Sequence, residues 1–222
     1  MVVVCGLDEA GRGCVIGPLV VAGACFKDSD LAKLRKMGVK DSKLLSVIQR
    51  ERLYKEVVKI AKSHKIVIID NNEIDSRSTV GLNLNELEAL KIANIIEELS
   101  PEKAVVDSPH PIESKFEELL FSFIKPELRD KFNIIAEHKA DLNYVECAAA
   151  SILAKVTRDR EIDKIKEIVG FDFGSGYSSD EKTIKALEKH YEGKLSEFIR
   201  KSWVTYKAMK ERKEQSSSES FG

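Results

Sequence analysis

Cysteine is scarce in this sequence, and its spacing excludes the common zinc sites. The 222 residues include four cysteines, none of them in a Cys-x-x-Cys pair: Cys5, Cys14, Cys25 and Cys147. Structural zinc sites use such pairs, so a zinc-binding domain is not expected. Two of the cysteines lie in apolar, strand-like runs, which predicts buried free thiols in a reducing, cytoplasmic environment.

Long apolar runs and net charge are also lacking. No window is apolar for long enough to cross a bilayer, and no basic region precedes the short apolar run at the N-terminus, so we expect neither a membrane span nor a signal peptide. The net charge of -1 excludes an affinity for polyanions that rests on overall charge. With 43% hydrophobic and 33% charged residues, the chain is predicted to be a soluble globular protein.

Apolar periodicity predicts an α/β protein with a mixed sheet flanked by helices. Five strands are predicted, at residues 2–5, 19–26, 64–70, 104–106 and 132–136. Helices are predicted at 31–37, 83–99, 112–124 and 144–169, with two more starting after Ser46 and after Ser179 or Asp180. The first two strands are predicted to form a hairpin.

The stretch with the most chemistry is residues 6–13, GLDEAGRG. Asp8 and Glu9 are adjacent carboxylates at the end of a buried strand, and their mutual repulsion requires a compensating cation, either Arg12 or a bound metal. Gly11 and Gly13 can adopt positive φ and let a ligand approach the backbone N–H groups. Solvated turns also contain this pattern, so the catalytic interpretation depends on partners from elsewhere in the chain.

Acids follow several of the predicted strands. They are Asp8 and Glu9 after the first, Asp70 after the third, Asp107 after the fourth, and Glu137 and Asp141 after the fifth. Ligands of open α/β sheets bind beyond the carboxyl ends of the strands, so these acids converge if the strands are neighbours. Ligation by oxygen alone suits Mg²⁺ or Mn²⁺. Asp70 is equally well explained as a helix cap and Glu137 as a surface acid.

Taken together, the motifs resemble the type 2 ribonucleases H, the ribonuclease HII family. GLDEAGRG is similar to the opening signature of that family, and the later motifs follow in the family's order: Asp41-Ser42-Lys43, VDSP at 106–109, EHKAD at 137–141, SILAKVTRD at 151–159 and GSGY at 174–177. The likeness covers roughly residues 2–206. The run Cys14–Pro18 is more similar to archaeal than to bacterial members.

The resemblance implies an RNase H-like fold and an enzyme that hydrolyses the RNA strand of RNA/DNA hybrids. It also implies nicking on the 5′ side of single ribonucleotides embedded in duplex DNA, which leaves 3′-hydroxyl and 5′-phosphate ends. The predicted domains are an RNase H-like catalytic domain at 1–177, a helical C-terminal segment packed on it at 178–214 and a disordered tail at 215–222. A monomer is predicted, and a sliding clamp is considered as a partner.

Site residues follow from the same resemblance. Four carboxylates are implied as the catalytic, metal-binding residues for two divalent ions, and Asp70 and Glu137 are not among them: Asp8, Glu9, Asp107 and Asp141. Gly11, Arg12 and Gly13 are implied to read the ribose 2′-hydroxyl through backbone groups. Tyr177 is implied to pack on the following deoxyribose, and Ser42 and Lys43 to hold a phosphate.

Other basic residues have two interpretations each. Lys155 and Arg158 are about one helical turn apart and either face the substrate or form ion pairs on the helix. His138 is either a proton shuttle or a structural histidine. Two other functions stay open from the residues alone: a metal-dependent nucleic-acid-binding module that does not cut, and a different nuclease with an RNase H-like fold.

Overall fold

The computed structural model describes residues 2–39 and 45–219. Its five strands are β1 (Val3–Ala10), β2 (Leu19–Lys27), β3 (Ser63–Ile69), β4 (Lys103–Asp107) and β5 (Asn133–Glu137). They form one sheet in the order β3-β2-β1-β4-β5. β1 and β2 are antiparallel, from Val3 opposite Lys27 to Ala10 opposite Val20, which confirms the hairpin. β4 is parallel to both β1 and β5, so the carboxyl ends of these three strands share one edge of a mixed sheet.

The helices follow the predicted pattern and add short elements to it. They are α1 (Asp28–Lys36), α2 (Val47–Ile60), α3 (Asn71–Ser76), α4 (Leu84–Leu99), α5 (Glu113–Phe123), α6 (Ala140–Asn143), α7 (Val145–Val169), α8 (Glu181–His190) and α9 (Val204–Glu219). Three-ten helices occupy Arg77–Val80, Pro126–Lys131 and Lys194–Phe198. Capping boxes start α2 at Ser46 and α4 at Asn83, because each of these side chains accepts from the N–H of the third helical residue, and the backbone N–H of each cap donates to the side chain of that residue.

Alternating residues of β2 pack on different helices. Every second residue of β2, from Val20 to Phe26, belongs to a buried cluster with residues of three helices: Leu34 of α1, Leu53 of α2 and Ile152 of α7. On the opposite face Gly23 lies against α4, where an added Cβ would be 2.6 Å from Ile95. The sheet is therefore covered by helices on both faces, as the α/β prediction requires.

The chain forms two compact units whose segments alternate along the sequence. One comprises Met1–Ala10, Val20–Ile68 and Leu82–Thr157; the other comprises Gly11–Leu19, Ile69–Gly81 and Arg158–Gly222. The second unit has its own buried cluster, which includes Ile16, Phe173 and Leu187.

The division at residues 177 and 214 stays a prediction, although α9 extends beyond Gln215, where a disordered tail was expected to begin. Among the residues that the structure describes, no helix has both the length and the apolar character needed to span a bilayer.

Candidate active site

Three of the predicted carboxylates lie together in the first unit. Asp8, Asp107 and Asp141 each offer a ligand atom, and these atoms all lie within 4.8 Å of one another. β1 and β4 produce part of this arrangement, because Leu7 is paired with Val106 and the next residue of each strand is an aspartate. Asp141 comes from α6 and is only 2% exposed.

The alternation of side chains along β1 explains why the Asp8 side chain lies on the face that packs against α7. Gly6 lies directly against the backbone of α7, since a Cβ there would be 2.1 Å from the Glu146 carbonyl group. Asp8 is two residues further along β1 and therefore leaves the strand on the same face. On that face, the Ser151 hydroxyl of α7 hydrogen-bonds to the Asp8 carboxylate, and Lys155 Nζ donates to Ser151 Oγ at 2.7 Å.

The pKa of Asp8 is raised well above its ordinary value. Burial of a residue that is 4% exposed is the largest cause, and the negative charges of Glu9 and Asp107 add to it. The Ser151 hydrogen bond and the Lys155 charge oppose the rise without cancelling it. The cluster thus holds more negative charge than its protein partners compensate, which favours protonation or a bound cation.

Asp107 and Asp141 are tied to each other through the backbone. Asp107 Oδ1 accepts a hydrogen bond from the Ala140 N–H at 3.0 Å, which fixes the turn just before Asp141. The Ala140 carbonyl in turn accepts from the Tyr144 N–H at 2.8 Å, closing the short helix α6. The hydrogen bond from the main chain before Asp141 to the Asp107 carboxylate therefore helps to set the spacing of these two aspartates.

Glu9 is not part of this three-residue group. It follows Asp8 directly in β1, so its side chain leaves on the face that carries Leu7. Its charge nevertheless raises the pKa of Asp8, which places it in the electrostatic surroundings of the cluster.

The donor chemistry of the group fits a hard divalent cation. All three donors are carboxylate oxygens, and two of the three residues are nearly inaccessible to solvent. Mg²⁺ and Mn²⁺ prefer such oxygen donors, whereas zinc sites normally include Cys or His. A divalent ion would also relieve the repulsion that raises the pKa of Asp8.

The other strand-end acids have different roles. Asp70 Oδ1 accepts from the Glu73 N–H at 2.8 Å, which confirms the interpretation of Asp70 as a helix cap. Glu137 accepts from Asn143 Nδ2 and from the Tyr144 hydroxyl. His138 has ring nitrogens 3.1 Å from the Ser108 carbonyl oxygen and 3.3 Å from that of Pro111, contacts that favour its structural interpretation.

In the second unit, the glycine loop 11–13 has the positive φ that the sequence anticipates, at Gly11 and not at Gly13. Gly11 has φ of 87°, and a Cβ there would be 2.6 Å from the Pro18 carbonyl oxygen, so no other residue fits without movement. A Cβ on Gly13 would lie 3.7 Å from the ring of Tyr177. The loop is thus packed along the face of this tyrosine.

Arg200 anchors the glycine loop, a role that the sequence analysis missed. Its side chain is fully buried and donates to the carbonyl oxygens of Gly11, Arg12 and Gly17 at 2.7, 2.9 and 2.9 Å. Its guanidinium lies 4.8 Å from the centroid of the Trp203 ring. Burial lowers the pKa of Arg200 to about 10, which still leaves it protonated at neutral pH. Arg200 is one of many lysines and arginines in the C-terminal part of the sequence, so nothing in the sequence distinguishes it.

Tyr177 is held by the loop before it and by Arg158. The Arg158 guanidinium lies 4.6 Å from the centroid of the tyrosine ring and donates to the Ser175 carbonyl oxygen. Ser175 donates to Asp180 Oδ2 through its N–H and its hydroxyl, at 2.6 and 2.7 Å. Asp180 also caps α8 by accepting from the Lys182 N–H. Ser42 and Lys43, the predicted phosphate ligands, lie outside the described residues.

Comparisons with known proteins agree on one family. The sequence model described as Ribonuclease HII matches residues 5–206. Ribonuclease HII of Pyrococcus furiosus is 44% identical over 210 residues, covering 93% of this chain and 90% of that protein. Ribonuclease HII of Archaeoglobus fulgidus is 43% identical over 208 residues, covering 93% of this chain and 96% of that protein.

Solved structures of ribonuclease HII from archaea are also similar to this chain. The crystal structure of ribonuclease H2 from Pyrococcus horikoshii OT3 has a TM-score of 0.84 and 40% identity, covering 95% of this chain and 98% of that chain. The structure of the PCNA:RNase HII complex from Archaeoglobus fulgidus has a TM-score of 0.80 and 43% identity, covering 91% of this chain and 95% of that chain.

Proposed function

Because the chain belongs to the ribonuclease HII family, we propose that it nicks duplex DNA on the 5′ side of single embedded ribonucleotides, leaving 3′-hydroxyl and 5′-phosphate ends. Membership makes the chain a ribonuclease H, a metal-dependent endonuclease that acts on the RNA strand of RNA/DNA hybrids. The single observation that carries the catalytic part is the convergence of Asp8, Asp107 and Asp141 within 4.8 Å.

These three aspartates, with Glu9, would hold two Mg²⁺ or Mn²⁺ ions. When bound, such ions supply a water of lowered pKa and neutralise charge that develops on the phosphodiester. The protein's part is to fix the carboxylates and to offset part of the rise in the pKa of Asp8. Ser151 and Lys155 favour the ionised form of Asp8, and the Ala140 N–H holds one oxygen of Asp107.

The glycine loop is the proposed reader of the ribose. The 2′-hydroxyl is the group by which a protein distinguishes RNA from DNA at one position. Arg200 donates hydrogen bonds to the carbonyl oxygens of Gly11 and Arg12 and so fixes the backbone that would contact this hydroxyl. A flexible loop would pay an ordering cost on binding that this anchored loop avoids.

Tyr177 is the proposed platform for the deoxyribose that follows the ribonucleotide. Its half-buried ring is fixed by Arg158 and by Gly13, so its orientation does not depend on the substrate. Ser42 and Lys43 complete the proposal as ligands of a backbone phosphate, on the basis of the family motif alone.

A sliding clamp is the proposed protein partner, because one similar structure is a PCNA:RNase HII complex. We further propose that the chain is a monomer. Size-exclusion chromatography with light scattering tests both, with one chain mass expected alone and a heavier species expected after addition of PCNA. A dimer mass, or no change with PCNA, would contradict the respective proposal.

A comparison of three matched duplexes tests the proposed activity. One contains a single ribonucleotide, one contains an RNA strand paired with DNA, and one is all DNA. With Mg²⁺ or Mn²⁺ we expect the first to be nicked on the 5′ side of the ribonucleotide and the second to be cut in its RNA strand, with EDTA stopping both reactions. Cleavage of the all-DNA duplex at the same rate would contradict the specificity, and tight binding without cleavage would indicate a binding module.

A further inference from the structure

The side chain of Glu137 is hydrogen-bonded to the segment that follows Asp141. Glu137 Oε1 accepts from Asn143 Nδ2 at 2.5 Å, and Oε2 accepts from the Tyr144 hydroxyl at 2.9 Å. Asn143 and Tyr144 are the second and third residues after Asp141, and Tyr144 directly precedes α7. Both oxygens of one side chain are thus used to hold the short stretch that carries a proposed metal ligand.

The backbone of Glu137 is tied to the strand that carries Asp107. Glu137 is the register partner of Asp107 in the parallel pair of β4 and β5. Its carbonyl oxygen accepts from the Ser108 N–H at 3.0 Å, just after Asp107. One residue therefore contacts the immediate surroundings of both aspartates.

The turn between Glu137 and Asp141 needs such support. Lys139 has φ of 57°, a left-handed conformation that is unfavourable for a residue with a Cβ. A strained conformation persists only where its surroundings fix it. The hydrogen bonds of Glu137 on one side and of Asp107 on the other supply contacts of this kind.

We propose that Glu137 is a positioning residue that sets the placement of Asp141 relative to Asp107 for binding of a divalent cation. This inference rests on the proposed function, because it assumes that these aspartates bind metal. Glu137 acts through the hydrogen bonds to Asn143 and Tyr144, and the contribution of its own charge is secondary. Residues that orient metal ligands in this way typically affect metal affinity by about 10- to 100-fold.

Glu137→Asp and Glu137→Gln separate hydrogen bonding from charge. Aspartate keeps the charge but is one methylene shorter, so it cannot reach both partners. Glutamine keeps the reach, and the exposed Asn143 amide can turn to present its oxygen to the glutamine NH₂ group. The proposal therefore predicts that Glu137→Asp binds the divalent cation weakly and that Glu137→Gln binds it with an affinity close to that of the wild type.

The affinity for Mn²⁺ alone is the decisive measurement, made by calorimetric titration of the full chain. We expect the dissociation constant to rise about tenfold in Glu137→Ala and Glu137→Asp, and less than threefold in Glu137→Gln. Tyr144→Phe should weaken binding in the same direction. The Tyr144 hydroxyl acts through its hydrogen bond to Glu137, and Glu137→Ala already removes that bond. The double variant Glu137→Ala/Tyr144→Phe should therefore bind Mn²⁺ no more weakly than Glu137→Ala.

Glu117→Ala is the matched control. Glu117 Oε1 accepts from the Ala136 N–H at 2.9 Å, so this variant also removes one charge and one hydrogen bond next to β5. Among the described residues this hydrogen bond joins Glu117 to β5 and not to the segment after Asp141, so the Mn²⁺ affinity of Glu117→Ala should stay within about twofold of the wild type. All titrations are made at a temperature where thermal unfolding shows each variant to be folded.

The outcomes distinguish this inference from the function on which it rests. Equal Mn²⁺ affinity of Glu137→Ala and Glu117→Ala would overturn the positioning role, as would a Gln variant that binds more weakly than the Asp variant. If the wild-type chain binds no Mn²⁺ and nicks no duplex, the proposed function itself fails. In the enzymatic assay, a positioning role predicts a lower kcat with an unchanged KM for the duplex.

Discussion

Arg200 Nη2 donates to the Gly11 carbonyl oxygen at 2.7 Å, although the two residues are 189 positions apart in the chain. The fully buried guanidinium makes two further bonds to carbonyl oxygens around the same loop. The backbone conformation of the proposed ribose reader is thus fixed by a residue close to the C-terminus.

Arg200→Lys should disturb this arrangement, because a single ammonium nitrogen cannot reproduce a fork that reaches three carbonyl groups. We expect a loss of about 1.5–3 kcal/mol in the free energy of unfolding, the usual range for hydrogen bonds to a charged group. Urea unfolding measures the loss. Arg212→Lys, an exposed arginine in the same unit, is the control and should change stability by less than about 0.5 kcal/mol. Equal stability of both variants would contradict the anchoring role.

Asp8→Asn should change the pH dependence of stability in the absence of metal. Burial, and then the charges of Glu9 and Asp107, raise the pKa of Asp8 in the folded state. A carboxyl group with a raised folded-state pKa contributes stability below its unfolded pKa of about 4, and this contribution is lost as the pH rises through the folded-state pKa.

In EDTA, the free energy of unfolding of the wild type should therefore decrease with rising pH more steeply than that of Asp8→Asn. Urea unfolding at several pH values above about 4 measures both slopes. The variant should also lose the nicking activity while remaining folded. Parallel slopes would mean that the Asp8 carboxyl carries no unfavourable charge in the fold.

Asp180→Asn tests the support of the loop that carries Tyr177. Hydrogen bonds from Ser175 lower the pKa of Asp180 to about 2. A depressed pKa contributes stability above the unfolded value of about 4 that is lost as the pH falls toward 2. The wild type should therefore be more stable than Asp180→Asn at neutral pH, and this difference should shrink over that acidic range. A difference that does not depend on pH would assign the effect to packing.

Tyr177→Ala should reduce cleavage at single ribonucleotides, because it removes the proposed platform for the neighbouring sugar. We expect kcat/KM to fall by about tenfold, equivalent to about 1.4 kcal/mol. Tyr191→Ala is the control, since Tyr191 lies in the same unit with Lys213 4.7 Å from its ring centroid. If both variants cleave at the wild-type rate, Tyr177 does not contact the substrate.

Local patterns predicted the scaffold well because local interactions produce it. The caps at Ser46 and Asn83 and the hairpin of β1 and β2 all depend on residues close in sequence. The convergence of Asp8 with Asp107 required only that their strands be neighbours, which the sheet order confirms.

Long-range packing produced what the sequence could not reveal. Arg200 is indistinguishable in sequence from the solvated basic residues around it, because only the fold shows which side chain is buried against the glycine loop. Glu137 was expected to be a surface acid, yet its two hydrogen bonds hold the segment after Asp141. Glu9 leaves β1 on the alternate face from Asp8, yet its charge raises the pKa of Asp8, and its role as a metal ligand stays a prediction.

Anomalous diffraction from a crystal of the chain soaked in Mn²⁺ tests most directly whether the three aspartates bind metal. Manganese peaks are expected within about 2.5 Å of carboxylate oxygens of Asp8, Asp107 and Asp141. Manganese bound elsewhere, with no peak touching Asp8 or Asp107 at a saturating concentration, would contradict it.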